Sequence, residues 1–199
     1  AHPHTALDGK LVIVHNGIIE NYRELKAELV EHGVDFVSET DTEVLAQVIA
    51  RHYKGDLRLA VETALTHVRG TYGLVVMHAD HPDQIIAARL GSPLVIGIGE
   101  NEHYIASDPT PILAYTNKVV FLSDGEVADV SRTKYTIYNL HDEEQEVHVE
   151  EIEWDEAQAQ KQGFDHFMLK EIFDQPTVIE DAIRGRYNAE EGTAHLGGL

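Results

Sequence analysis

The residue types of most chemical use in this chain fall in two short stretches, Val14-His15-Asn16-Gly17-Ile18-Ile19-Glu20-Asn21 and Ser38-Glu39-Thr40-Asp41-Thr42-Glu43. Asn16 offers a side-chain N–H and Gly17 a backbone N–H. A strand end that turns into a helix could aim both at one developing negative charge. The rival reading of Asn-Gly is a type I′ hairpin turn. Against it, Ile18-Ile19-Glu20 is followed at once by a helical pattern, which leaves little room for a returning strand. Asp41 stands at or just inside a helix start, where a carboxylate accepts backbone N–H groups and meets the positive end of the helix dipole. The same carboxylate suits an ammonium group. On local sequence alone both pairs of readings stay open.

Other combinations carry less. His2-Pro3-His4 with His15 invites a metal reading, but no acidic or thiol ligand stands at a characteristic spacing and Pro3 separates the pair. We expect no metal site and no cofactor, since no Gly-rich phosphate loop of the Walker or dinucleotide type occurs. Ser92 and Ser107 lack a nucleophile elbow, and with 13 histidines in the chain, chance Ser/His pairings are expected. The 199 residues contain no cysteine, which removes disulfides, thiolate metal sites and any Cys nucleophile from them. A formal net charge of −20 repels phosphate backbones and anionic lipid, so nucleic acid and membrane surfaces are not expected partners. The longest apolar runs, Leu11 to Val14 and Leu94 to Ile98, fall far short of the ~20 residues of a spanning helix.

The elements that would position these groups follow from periodicity. Lys10 to His15 suits a buried strand. Asn21, with Glu24 at capping-box spacing, opens a helix that Gly33 closes. Thr40 with Glu43 three residues on starts a second, carrying Val44, Leu45, Val48 and Ile49, and Asp56 caps a third through Leu57, Val61, Ala64, Leu65 and Val68. From Thr71 to Glu153 the texture becomes short β-rich runs split by Pro82-Asp83, Gly91-Ser92-Pro93, Gly99-Glu100-Asn101 and Asp124-Gly125, with one brief helix capped by Asp108 and begun by Pro109. Asp142-Glu143-Glu144 fits an exposed turn between strands. Helices early and strands later predict an α+β layered fold. Ala157 to Gly163 reads as a connector. Beyond it, one helix ends before Pro176, a second is capped by Thr177, and the Gly-rich tail from Ala189 has no closing element.

Together with Phe167-Met168-Leu169-Lys170-Glu171-Ile172, the two opening motifs resemble the glutamine–fructose-6-phosphate aminotransferase family, also called glucosamine-6-phosphate synthases, from His2 to about Tyr187. The resemblance implies a four-layer αββα sandwich of the amino-terminal-nucleophile hydrolase type, incomplete at its front. It implies a glutaminase domain over residues 1–156, a linker over 157–163 and the start of a sugar-phosphate isomerase domain over 164–199. Asn16 and Gly17 match that family's oxyanion hole, and Gly17 and Asp41 its glutamine-binding residues, Asp41 taking the α-ammonium group. Gly91-Ser92-Pro93-Leu94 and Ala106-Ser107-Asp108 match turns near the pocket.

The parent protein would be a cytoplasmic homodimer using glutamine and fructose 6-phosphate. The family cuts glutamine with an amino-terminal cysteine, whereas this chain starts with Ala1, so the 199 residues alone are expected to be silent, with an open pocket. Two alternatives are another amidotransferase of the same class, acting on phosphoribosylpyrophosphate or forming asparagine, and a noncatalytic binding or assembly module of the same fold.

Overall fold

The computed structural model describes residues 2–7, 9–152, 164–183, 187–188 and 193–194. It divides into two units, Ala1–Glu153 and Trp154–Leu199. In the first, a short strand β1 (His4–Ala6) pairs antiparallel with β2 (Leu11–Ile19), and three helices follow: α1 (Tyr22–Glu31), α2 (Asp41–His52) and α3 (Leu57–Leu65). Strands β3 (Gly70–His78), β4 (Ile85–Leu90), β8 (Glu126–Val130) and β9 (Tyr135–Asn139) complete a six-stranded antiparallel sheet in the order β1-β2-β3-β4-β8-β9. A second sheet, β10-β7-β5-β6, is built from β5 (Val95–Ile98), β6 (His103–Ala106), β7 (Lys118–Phe121) and β10 (Glu150–Glu151).

The layering follows from side-chain alternation. On β4, Ile86 and Ala88 join the helix-side core with Leu11, Ile13, Leu74 and Val76, while Ala87 joins the sheet-to-sheet core with Ile96, Val120 and Leu122. A strand with apolar residues on both faces must be covered on both, and here the helices take one face and the second sheet the other. Leu45, Ile49 and Leu57 have no exposed surface, and each such side chain contributes about 1.5–3 kcal/mol by burial. The outer face of the second sheet is closed by Ile112 packed with Val95 and Val119. Toward β1 the cover ends: Val14 is 40% exposed and Met77 47%. Among the described residues no helix is long and apolar enough to cross a membrane.

Several expectations need correction. β2 does not stop at His15 but runs on through Asn16 and Gly17, because β3 offers backbone partners as far as Gly70. Asn21 does not cap α1 with its side chain; its amide donates to the His67 carbonyl and its carbonyl oxygen accepts from the Arg69 N–H, so the group is spent on tertiary contact. α1 ends as expected before Gly33 (φ +82), with Gly33 N–H on the Val30 carbonyl and Val34 N–H on the Leu29 carbonyl. The segment after Asp108 forms successive turns instead of a helix. Asp108 accepts the Thr110 N–H at 2.8 Å, but the Thr116 hydroxyl leaves for the Ile98 carbonyl and ties the chain to β5.

In the second unit Pro176 lies inside a single helix, α4 (Phe167–Ile183), so the break before it and a new cap at Thr177 do not occur. Proline removes one backbone donor, and the preceding turn is held by the Lys170–Asp174 ion pair at 2.8 Å. Past the helix, β11 (Tyr187–Asn188) pairs with β12 (Thr193–Ala194), a short closing ribbon where none was expected. The connector at 157–163 lies outside the described residues.

Candidate functional site

β2 pairs through the site in continuous register with β3: Asn16 faces Gly73, Gly17 faces Tyr72, Ile18 faces Thr71 and Ile19 faces Gly70. The Asn-Gly pair is therefore not a hairpin turn; the cross-strand bonding continues past it, with Glu20 N–H on the Arg69 carbonyl at 2.8 Å, and the chain turns only at Glu20-Asn21, before α1. Two glycines make the close approach possible. Gly17 has φ +137 and a Cβ there would strike the Thr71 carbonyl oxygen; Gly70 has φ +134 and its Cβ would strike that of Ile18. Asn16 and Gly17 are exposed, and the Asn16 amide has no hydrogen-bond partner among the described residues. His15 faces the helices while Asn16 shares the other face with Val14, by strand alternation.

The first turn of α2 is stitched to its surroundings by three consecutive residues. Thr40 caps the helix, its hydroxyl accepting the Glu43 N–H at 3.3 Å. Asp41 Oδ2 accepts the Ile19 N–H at 2.8 Å, which brings the carboxylate to β2 two residues past Gly17. Thr42 Oγ1 meets His15 Nδ1 at 3.1 Å, and the other ring nitrogen meets the Thr71 carbonyl at 3.3 Å. A carbonyl only accepts, so Nε2 carries a hydrogen; in the neutral ring Nδ1 then accepts from the threonine hydroxyl, and in the charged ring it donates to it. Burial pushes the His15 pKa down, against the Thr71 carbonyl and the Asp41 charge, which raise it. Glu43 turns back to the preceding loop.

The structure thus joins Asp41 to the β2 backbone beside Gly17, while Asn16 forms no hydrogen bond with either. His2 and His4 are used locally: the His15 N–H donates to His2 Nε2 at 3.4 Å, and His4 Nδ1 lies 3.5 Å from Thr40 Oγ1. Among the described residues no group of three or more His, Cys, Asp or Glu side chains is arranged to hold a metal ion. The Gly91-Ser92-Pro93 loop abuts the same end of the sheet, with the Pro93 carbonyl over Gly73 and Gly91 against Thr71. Asp108 is engaged with the Thr110 turn. A surface cavity of about 400 Å³ lined by His81, Gln84 and Asp129 sits at the opposite end of β3 and contains none of these groups.

Sequence reasoning gave no site role to Thr42 or Gly70, took Glu43 only as a helix-start signal, and weighed His15 only as a strand end and a rejected metal ligand. The available signal for His15 was its inward strand position in line with Leu11 and Ile13; for Gly70 there was none, since its partner is Ile19 across the sheet.

A family model described as a glutamine amidotransferase domain matches residues 1–114. Glutamine–fructose-6-phosphate aminotransferase (isomerizing) from Chlorobaculum tepidum is 51% identical over 100% of this chain and 33% of its own length. The Thermus thermophilus protein of the same name is 49% identical over 99% and 32%. The chain spans about one third of the length of these curated relatives. Among solved structures, the glutamine phosphoribosylpyrophosphate amidotransferase of B. subtilis superposes with TM-score 0.58 at 25% identity, covering 69% of this chain and 30% of that one. A class-II glutamine aminotransferase domain protein from Silicibacter pomeroyi shares the fold, with TM-score 0.52 at 17% identity over 70% and 69%. The two-sheet core with its helix layer is accordingly that of the amino-terminal-nucleophile type, and the chain belongs to the glutamine amidotransferase domain family.

Proposed function

We propose that this domain forms part of the glutaminase site of a longer enzyme that transfers the glutamine amide nitrogen to fructose 6-phosphate, giving glucosamine 6-phosphate and glutamate. The observation that carries the reading is the Asp41 carboxylate anchored on the Ile19 N–H beside Gly17. The nitrogen acceptor is the one that the names of the Chlorobaculum and Thermus relatives contain.

In this reading Asp41 keeps Oδ2 on the strand and offers Oδ1 to the α-ammonium group of glutamine. A cysteine from outside these residues attacks the carboxamide carbon. The Asn16 side-chain N–H and the Gly17 N–H receive the oxyanion, ammonia leaves, and water releases glutamate from the thioester. Burial favours the neutral form of His15, in which the ring adds no positive charge to compete with the substrate ammonium, and its two contacts hold β2, β3 and α2 in fixed relation.

Residues 1–156 form the glutaminase domain, 157–163 the linker and 164–199 the start of an isomerase domain. The full-length protein is a cytoplasmic homodimer without nucleic-acid or membrane partners, and the 199 residues alone are catalytically silent. The test is to assay the full-length protein with both substrates: amino sugar with stoichiometric glutamate is expected, and glutamate without amino sugar rejects the acceptor. Glutaminase turnover by the 199-residue chain rejects the need for an outside nucleophile.

A further inference from the structure

Glu43 is only 3% exposed although it is a carboxylate, and its partners explain why. One oxygen accepts the Val37 N–H at 2.8 Å; the other accepts the Ser38 N–H at 2.6 Å and also the Ser38 hydroxyl. Having donated to Glu43, the Ser38 hydroxyl can only accept from Thr40, whose Oγ1 lies 3.0 Å away and whose N–H points to it at 3.4 Å. The Thr40 hydroxyl in turn accepts the Glu43 N–H. Proton directions therefore close a ring from Glu43 through Ser38 and Thr40 back to Glu43.

Helix capping does not require this ring. An acid at the third helical position would ordinarily reach back to the cap residue's own N–H, and here Ser38 already takes that N–H. The carboxylate is spent instead on residues 37 and 38, the loop leading into Asp41. Lys26 adds a contact to the Ser38 carbonyl at 3.4 Å. Asp41 itself has one tie, through Oδ2 to Ile19, so the placement of its other oxygen depends on where the loop and the first helical turn hold its main chain.

We propose that Glu43 is a positioning residue for glutamine: by locking the 37–40 loop it sets the Asp41 carboxylate at the place of the substrate ammonium. The inference rests on the ammonium-binding role given to Asp41 above. A small displacement of a charge-pairing group weakens binding steeply, while the bond-breaking step, which involves the other end of the substrate, is left alone.

The test uses steady-state glutaminase kinetics of the full-length protein with two substrates, glutamine and glutaramate, the same amide lacking the α-amino group. Glu43→Gln is expected to raise KM for glutamine about tenfold, leave kcat within about twofold and leave KM for glutaramate unchanged. Asp41→Asn is expected to show the same selectivity, and Glu43→Gln added to Asp41→Asn should raise KM no further. Equal losses on both substrates, a fall in kcat, or full additivity with Asp41→Asn would overturn the positioning role. If Asp41→Asn itself fails to separate the two substrates, the ammonium reading of Asp41 falls, and the inference with it. Should Glu43→Gln not fold, Ser38→Ala keeps the carboxylate and both backbone donors while opening the ring. It should raise KM for glutamine about two- to threefold and spare glutaramate; no rise overturns the inference.

Discussion

Substituting Gly70 by Ala tests the geometry of the site from a position outside both opening motifs. Gly70 faces Ile19 across the β2–β3 pair, with φ +134, and an added Cβ would fall on the Ile18 carbonyl oxygen and within 3.0 Å of the Glu20 nitrogen. Alanine in this backbone region costs about 1–3 kcal/mol before any overlap is counted. Both overlapped groups are backbone, so relief must come from moving β2 or β3, and total destabilisation of about 3 kcal/mol is expected. The displaced stretch carries the Ile19 N–H that holds Asp41 and adjoins Gly17. If the Gly17 N–H serves the oxyanion, its misplacement should lower kcat by about 10²-fold, the low end for losing one such donor. Urea unfolding of the 199-residue chain gives the first quantity and glutaminase kinetics of the full-length protein the second. A Gly70→Ala protein within about 0.5 kcal/mol of wild type, with kcat unchanged, would refute the close approach and its link to the site.

Further outcomes are specific. In the full-length protein Asn16→Ala should lower kcat by about 10²–10³ with little change in KM, and Asp41→Ala should mainly raise KM for glutamine; kinetics showing the opposite split would exchange their roles. Arg58→Met should destabilise the chain by about 3 kcal/mol at pH 7, because it strands Glu62, which is 5% exposed and bonded to Arg58 at 2.6 Å. Burial already raises the Glu62 pKa against the pull of Arg58, so this loss should shrink as the carboxyl protonates on acidification; a pH-independent loss in urea titrations would count against the stranded charge. For His15 the folded pKa is depressed, chiefly by burial. Its neutral form therefore stabilises the fold fully above the ordinary value of 6.5, and that contribution is lost as pH falls through the lower folded value. An imidazole proton titration followed by NMR should place His15 below 6.5, and a value above it would contradict the neutral bridge.

Elements set by local rules were legible in the chain. α2 and α3 begin at Thr40 and Asp56, whose side chains cap them, and α1 stops before Gly33 because only glycine takes φ +82 without strain. What escaped was decided by partners far along the chain. Asn21 has the right type and spacing for a capping box, but His67 and Arg69 claim its amide. β2 outruns its apolar pattern because Thr71 and Gly70 continue the ladder, and Gly17, which reads locally as a turn residue, is needed for clearance from a facing strand. The candidate site was legible in residue type only: nothing local says that Asp41 binds Ile19 or that Thr42 binds His15. Glu43 looked like half of a capping box and closes a loop instead.

Asp41, Thr42 and Glu43 reach a strand backbone, a buried imidazole and a loop, and this has a consequence for how the chain can change length. An α-helix turns about 100° per residue, so one residue inserted inside this turn would swing Asp41, or Asp41 and Thr42 together, away from their partners. One inserted in the 37–40 loop would leave the helix in phase but break the ring around Ser38. The stretch from Val37 to Glu43 should therefore tolerate no insertion. The Lys54-Gly55 turn between α2 and α3 is different, since a Cβ at Gly55 would meet nothing within 4 Å and Asp56 caps α3 independently. Additional residues there should leave both helices in place, making it the natural point for loop growth or a grafted tag on this face of the domain.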